Sequence, residues 1–241
     1  MKKHAVLHAA PTLLITCEHG GHRIPAKYAP LFKAHRKALE SHRGYDPGAL
    51  AYARNFSAAF GAALVQSTTS RLLVELNRSP NHPQLFSEVT RILPADEREH
   101  MLQRYYYPYR LDVEARVRRA VESGRRVMHV SCHSFTPALD GIVRRADIGL
   151  LYDPARASEL AFCLRWQRAL KAAEAGLVVR RNYPYIGYAD GLTTYLRKRF
   201  TGSVYCGIEL EVNQKYPLGD AAAWRRLRKT LVATLGAALP R

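Results

Sequence analysis

Leu13-Leu14-Ile15-Thr16-Cys17-Glu18-His19-Gly20-Gly21-His22 is an apolar run that empties into a glycine-rich segment carrying a carboxylate and two imidazoles. Residues 13–17 read as a buried strand and residues 18–22 as the loop that leaves it. The same alternation recurs along the chain. Asp46-Pro47 opens a helix to about residue 60, with Asp suited to the cap and Pro to the first helical position. Strand patterns follow at 64–66, 72–76, 127–132, 148–152, 177–180 and 204–212. Helical patterns lie at 94–124, interrupted near Pro108, at 158–175 before Gly176, at 192–200, and at 221–235 before Gly236. Strands alternating with helices argue for an α/β fold: a mixed, mostly parallel sheet with helices on both faces. No repeat or linker divides the sequence, so residues 1–241 read as one domain. Ligand sites in such sheets gather beyond the carboxyl ends of strands. The chemically loaded residues sit there: Glu18-His19, Asn77-Arg78, His133-Ser134, and Glu209 with Glu211 late in their strand.

Composition narrows the function classes. The 241 residues are 47% hydrophobic and 24% charged, which suits a globular protein with a full core. No apolar run reaches the roughly 18–20 residues that span a bilayer. Residues 1–4 are basic, but 5–10 are too short and polar for a signal-peptide core, so a cytoplasmic location is expected. Cys17, Cys132, Cys163 and Cys206 form no CxxC pair and read as buried reduced thiols. Cys132 adjoins His133, but strand neighbours point to opposite faces, which argues against a thiol–imidazole pair. The net charge of +17 could serve nucleic-acid binding, and could equally draw in anionic small substrates or simply keep the protein soluble. The basic groups near 116–126 and 225–229 fall on helices and read as solvated faces, and no recognition motif accompanies them, so a nucleic-acid partner is not expected. Nothing in the sequence fixes an oligomeric state.

His19 and His133 each stand at a strand end beside glycine or serine, where two imidazoles can share one divalent ion. Asp46, His22 and Glu18 compete for the third position, and two His plus one carboxylate, a common catalytic zinc set, favours Asp46 over His22. Glu209 and Glu211 lie two apart and share one face of an apolar strand. Carboxylates there are costly unless they meet a cation, which makes either one a candidate general base. Arg78, with Asn77 and Arg71 nearby, offers a fork for a substrate carboxylate. Asn182 and Tyr185, in a tyrosine-rich loop, and Ser134 are further candidates for substrate contact.

Several short motifs, in order, resemble the N-formylglutamate amidohydrolase family. They are residues 14–25, Asp46-Pro47-Gly48-Ala49, Ser70-Arg71 through Asn77-Arg78, and Tyr107-Pro108-Tyr109-Arg110. Cys132-His133-Ser134-Phe135, residues 147–152, Asn182-Tyr183-Pro184-Tyr185 and residues 210–214 continue the match, which spans about 13–216. The resemblance implies the phosphorylase/hydrolase-like fold of zinc carboxypeptidases and aspartoacylases. It implies His19 and His133 as ligands of one zinc ion, Asn77-Arg78 as the carboxylate clamp, and Glu211 rather than Glu209 as the catalytic glutamate. Where carboxypeptidases carry His-x-x-Glu this chain has His19-x-x-His22, and position 75 is Glu where Asp is expected.

The expected activity is therefore metal-dependent hydrolysis of an N-acyl amino acid amide, N-formylglutamate-like, by metal-activated water. The alternatives are a zinc peptidase or amidase acting on peptides or cell-wall fragments, and a non-catalytic basic protein that binds polyanions.

Overall fold

The computed structural model describes residues 10–240; the basic residues 1–4 lie outside them. In chain order the strands are β1 (Thr12–Cys17), β2 (Ala63–Gln66), β3 (Val127–Phe135), the small antiparallel pair β4 (Ala138–Leu139) and β5 (Ile142–Val143), then β6 (Ile148–Leu151), β7 (Val179–Arg181) and β8 (Tyr205–Asn213). The helices are α1 (Arg36–Leu39), α2 (Ala49–Phe60), α3 (Ala95–Met101), α4 (Tyr107–Glu122), α5 (Ala157–Ala173), α6 (Leu192–Arg197) and α7 (Ala221–Ala238). Six strands form one sheet in the order β2-β1-β3-β8-β6-β7. Neighbours are parallel except β6, which runs antiparallel to β8. This is the mixed, mostly parallel α/β sheet that the alternation predicts.

The two faces of the central strands are chemically different. Ile15, Cys17, Val130, Cys132, Ile208 and Leu210 point to one face and pack under α2, α5 and α7, against Tyr52, Phe56, Trp166 and Leu231. Each large side chain buried here contributes about 1.5–3 kcal/mol. The other face begins apolar, with Leu14, Val127 and Tyr205 under α4 and α6. Towards the carboxyl ends it turns polar: Thr16, Glu18, His129, Ser131, His133 and Glu211 are all buried. Every polar group on that path except Glu211 finds a partner. Thr16 Oγ1 and Tyr205 Oη flank the His129 ring at 2.9 and 2.8 Å, and burial lowers the His129 pKa to about 4, so the ring is neutral near pH 7. The four cysteines are free and buried, and Cys132 faces away from His133, as strand alternation requires.

Local structure departs from expectation in five places. Residues 72–76 are buried but form turns rather than a strand. Their carbonyls bond to side chains instead of a ladder: Ser87 Oγ donates to the Leu72 carbonyl at 2.6 Å and Thr90 Oγ1 to that of Leu73 at 3.0 Å. Helix α2 starts at Ala49 behind Gly48, whose φ of 81° suits glycine, so Asp46 is not its cap. The helical run 94–124 is broken by a π-turn at Leu102–Tyr106, and Pro108 sits in the first turn of α4, where its missing N–H is harmless. Helix α7 continues through Gly236 to Ala238, and a Cβ at Gly236 would stand 3.3 Å from the Phe60 ring. Strand β3 continues through Phe135, so His133 lies within it, in register with Glu211 on β8. Among the described residues no helix is long and apolar enough to cross a membrane.

Candidate active site

The carboxyl ends of β1, β3 and β8 open into a cavity of about 480 Å³. Its floor is built from three residues on separate elements. His19 is the second residue after β1, and His133 lies late in β3. Asp46 is drawn in from the loop before α2, because its backbone N–H donates to the His19 carbonyl at 2.9 Å. Asp46 Oδ2 stands 3.2 Å from His19 Nδ1 and 2.9 Å from His133 Nδ1. All three donor atoms lie within 4.8 Å of one another.

The opposite nitrogen of each ring is braced by a further carboxylate. His133 Nε2 is 3.0 Å from Glu18 Oε2, and Glu18 also accepts from Ser131 Oγ at 2.6 Å and Tyr109 Oη at 2.8 Å. His19 Nε2 meets Glu75, and Glu75 in turn accepts from Arg71 Nε at 2.7 Å and the Asn77 N–H at 2.9 Å. This orients both Nδ1 atoms towards Asp46, as carboxylate–histidine pairs do around metals.

The electrostatics favour positive charge at the floor. Burial opposes charge on His133, yet its contacts with Asp46 and Glu18 raise its pKa well above the usual imidazole value. Burial and Arg71 oppose charge on His19, but Glu75 and Asp46 outweigh them and raise it too. Burial pushes the Asp46 carboxyl up, but His19, His133 and Arg71 bring it far below the usual carboxylate range. Glu75 behaves alike, pushed up by burial and pulled lower by Arg71 and His19. Two imidazoles amid three ionised carboxylates form a donor set that a divalent cation fits, displacing protons on binding.

Glu211 is different. It is 5% exposed, lines the cavity beside His133, and its Oε2 has no hydrogen-bond partner. Burial raises its pKa to about 8; the His133 charge opposes that and Asp46 and Glu209 reinforce it. Glu209 lines the same cavity and accepts from Thr193 Oγ1 at 2.8 Å.

Arg78 lines the same cavity. Its backbone is fixed on several sides: Tyr106 Oη donates to the Arg78 carbonyl at 2.6 Å, Arg110 Nη1 to the Leu76 carbonyl at 3.1 Å, and the Ser79 N–H to Asp190 Oδ2 at 2.8 Å. Arg78 Nη1 donates to the Asp190 carbonyl at 2.6 Å, and no carboxylate pairs with the guanidinium among the described residues. Arg110 is itself 2% exposed, leaves Nε and Nη2 unpartnered, and stacks on Tyr195 with its guanidinium carbon 4.3 Å from the ring centre. Replacing a buried cation without a counter-ion by a long apolar side chain need not destabilise a fold. Arg110→Met should therefore keep or raise the melting temperature while loosening residues 76–79. The expected reading is a KM for a carboxylate substrate raised by about tenfold, with kcat changed less; an unchanged KM would refute this bracing role.

The remaining candidates divide. His22 does not join the cluster: residues 20–23 run beside Ser67–Thr69, with Gly20 N–H on the Ser67 carbonyl and Arg23 N–H on that of Thr68, and this turns His22 outward against Tyr45. Glu18 is a brace for His133 rather than a ligand. Arg71 lines the cavity but is tied to Glu75 and Asp46, so its charge is already matched. Asn182 does not face the cavity: with φ of 47° its Oδ1 accepts from the Tyr152 and Gly187 N–H groups and closes the loop that carries Tyr185. Tyr185 lines the cavity, with its hydroxyl 3.1 Å from Arg144 Nη1. Ser134 lines it too, although its Oγ donates to the Pro47 carbonyl at 2.8 Å. Asn77 reaches the wall, with Oδ1 accepting from the Leu192 N–H at 2.7 Å. Sequence reasoning passed over Glu75 and Asp190 as working residues, since both are recruited by turns that carry no periodic signal.

The family model for N-formylglutamate amidohydrolase matches residues 11–216 of this chain. No curated protein matches it. A solved structure of a gene product from Agrobacterium tumefaciens is 31% identical, with a TM-score of 0.79 over 95% of this chain and 90% of that one. The crystal structure of N-formylglutamate amidohydrolase from Ralstonia eutropha JMP134 is 20% identical, with a TM-score of 0.71 over 95% and 93% of the two chains. At that identity the second likeness is one of fold.

Proposed function

The chain belongs to the N-formylglutamate amidohydrolase family, and from that premise we propose that it hydrolyses the amide of a small N-acyl amino acid with the help of one bound divalent ion. Membership makes it a hydrolase of amide carbon–nitrogen bonds. The observation that carries the finer reading is the convergence of His19 Nδ1, His133 Nδ1 and Asp46 Oδ2 beside the unpartnered Glu211. Those three residues would hold the ion, and two nitrogens with one oxygen suit zinc. When bound there, the ion would polarise the scissile carbonyl and make a water easier to deprotonate.

The chain's own groups do the rest. Glu211 lines the cavity beside His133 and has a free carboxylate oxygen. It takes a proton from the attacking water and returns it to the leaving nitrogen. Its raised proton affinity suits both halves of that transfer near neutral pH. Arg78 binds the substrate carboxylate with the edge of its guanidinium not used by Asp190. Ser134, Tyr185 and Glu209 line the cavity in which the substrate would sit. We take the chain as a single domain built around this cavity.

Arg78→Ala tests the anchoring step. We expect kcat/KM for N-acyl amino acids to fall by about 10²-fold or more, chiefly through KM, with little change for the matching acyl amides that lack the carboxylate. An unchanged KM for the carboxylates would remove Arg78 from substrate binding. No amide hydrolysis by the zinc-supplied wild type on any N-acyl amino acid would overturn the activity itself.

A further inference from the structure

Beyond the floor, the unmatched groups of the cavity wall run against the charge of the whole protein. The chain carries +17, yet the cavity wall presents Glu209, Glu211 and Asp190, none within ion-pair distance of a Lys, Arg or His among the described residues. The arginines on the wall are Arg71 and Arg78, while the His19 and His133 rings on the floor are already shared among Asp46, Glu18 and Glu75. Arg71 is already shared between Asp46 and Glu75, which leaves Arg78 as the free one. A single substrate carboxylate is matched by it. A second would face Glu209 and Asp190 with no cation in the wall to receive it.

The two acidic groups are held open towards one space. Thr193 Oγ1 donates to Glu209 Oε1, and the other oxygen of Glu209 has no protein donor. Ser79 N–H donates to Asp190 Oδ2, again leaving one oxygen free. Gly191 follows Asp190 in the chain, and a Cβ there would stand 3.2 Å from Asn77 Oδ1 and 3.3 Å from Glu209 Oε1. Any larger residue would crowd that corner.

We propose that this cavity takes an N-acyl basic amino acid: one carboxylate on Arg78, and a protonated amine or guanidinium on the side chain received by Glu209 and Asp190. The inference rests on the amidohydrolase reading and narrows its substrate class. The reaction is ordinary hydrolysis. Water adds to the acyl carbon, the carbon–nitrogen bond breaks, and the water proton ends on the departing amine, giving a carboxylic acid and a free basic amino acid. The competing cation is Arg144 at the rim, which stacks on Tyr185 with its guanidinium carbon 5.1 Å from the ring centre and could swing to a second carboxylate.

The test uses three N-formyl amino acids that differ only in the side chain: lysine, its uncharged analogue norleucine, and glutamate. Binding is measured by titration calorimetry to metal-stripped wild type and to Glu211→Gln, and kcat/KM with the zinc-supplied wild type. We expect the lysine derivative to bind about tenfold or more tightly than the norleucine one, and the glutamate one most weakly. Glu209→Gln and Asp190→Asn should each cut the lysine-to-norleucine ratio by several-fold. Asp190→Asn keeps an acceptor for Ser79, and thermal melts confirm that both variants fold. Tightest binding of the glutamate derivative, especially if Arg144→Ala abolishes it, overturns the proposal, as does a ratio indifferent to both variants. Lysine-first binding without turnover of any derivative would instead sink the amidohydrolase reading and leave the charge recognition standing.

Discussion

Glu211→Gln is expected to lower kcat by about 10³-fold while metal content and substrate binding stay within a few-fold of wild type. The amide keeps the shape of the carboxylate and removes only its capacity to accept and return a proton. Glu211 lines the cavity in register with His133, and one of its oxygens is unpartnered. Glu209, two residues back on the same face, already accepts from Thr193. The alternative assignment therefore makes a distinct claim: if Glu209 were the base, Glu211→Gln would retain activity within about tenfold, and Glu209→Gln would not.

The same substitution has a stability signature, measurable without substrate. Burial raises the Glu211 pKa from 4.5 to about 8 in the metal-free protein. A carboxyl raised on folding binds its proton more tightly in the native state. Its contribution is full below about 4.5 and is lost as pH climbs to about 8, because the folded protein must then carry a buried, unmatched charge. Glutamine has no proton to lose. Metal-free Glu211→Gln should melt higher than metal-free wild type at pH 9, with a smaller difference at pH 5. A difference independent of pH would show that the carboxyl does not titrate in that range. Stability given up at such a residue is the usual mark of a group kept for chemistry.

Sequence made the central strands legible because their apolar runs have few other uses: residues 13–17 and 127–132 fall inside observed strands, and 204–212 does so from Tyr205 onward. The order β2-β1-β3-β8-β6-β7 was not legible, since strand order depends on crossover packing rather than on any local pattern. Residues 72–76 have a strand's composition but are buried as turns, with Ser87 and Thr90 satisfying carbonyls that a ladder would otherwise take. Asp46 shows the same limit at the site. An Asp-Pro pair before an apolar helix signals a cap, but the left-handed turn at Gly48 starts the helix later and frees the carboxylate for the two imidazoles. His22, nearer to His19 in sequence, is carried away by the pairing of residues 20–23 with Ser67–Thr69. Glu75 reaches His19 across 56 positions of chain, which no spacing rule anticipates.

The third ligand can be settled by removing each contender and measuring zinc affinity against a chromophoric chelator. Wild-type protein should bind about one ion per chain, and His133→Ala should abolish binding and turnover together. Asp46→Ala should do the same, because Asp46 Oδ2 is the oxygen that faces both Nδ1 atoms. Glu75→Gln should be milder, weakening affinity about 10–100-fold, since Glu75 acts on the far nitrogen of His19 and orients the ring without facing the donor cluster. His22→Ala should bind zinc like wild type, its ring being exposed and packed on Tyr45. The opposite ranking, with His22 essential and Asp46 dispensable, would mean that the loop after β1 refolds around the ion. Loss of affinity in Asp46→Ala but not in His133→Ala would break the cluster as a single centre. The ranking follows from one structural fact: each imidazole has its Nε2 committed to a carboxylate, so only the two Nδ1 atoms remain for an ion, and Asp46 is the carboxylate they share.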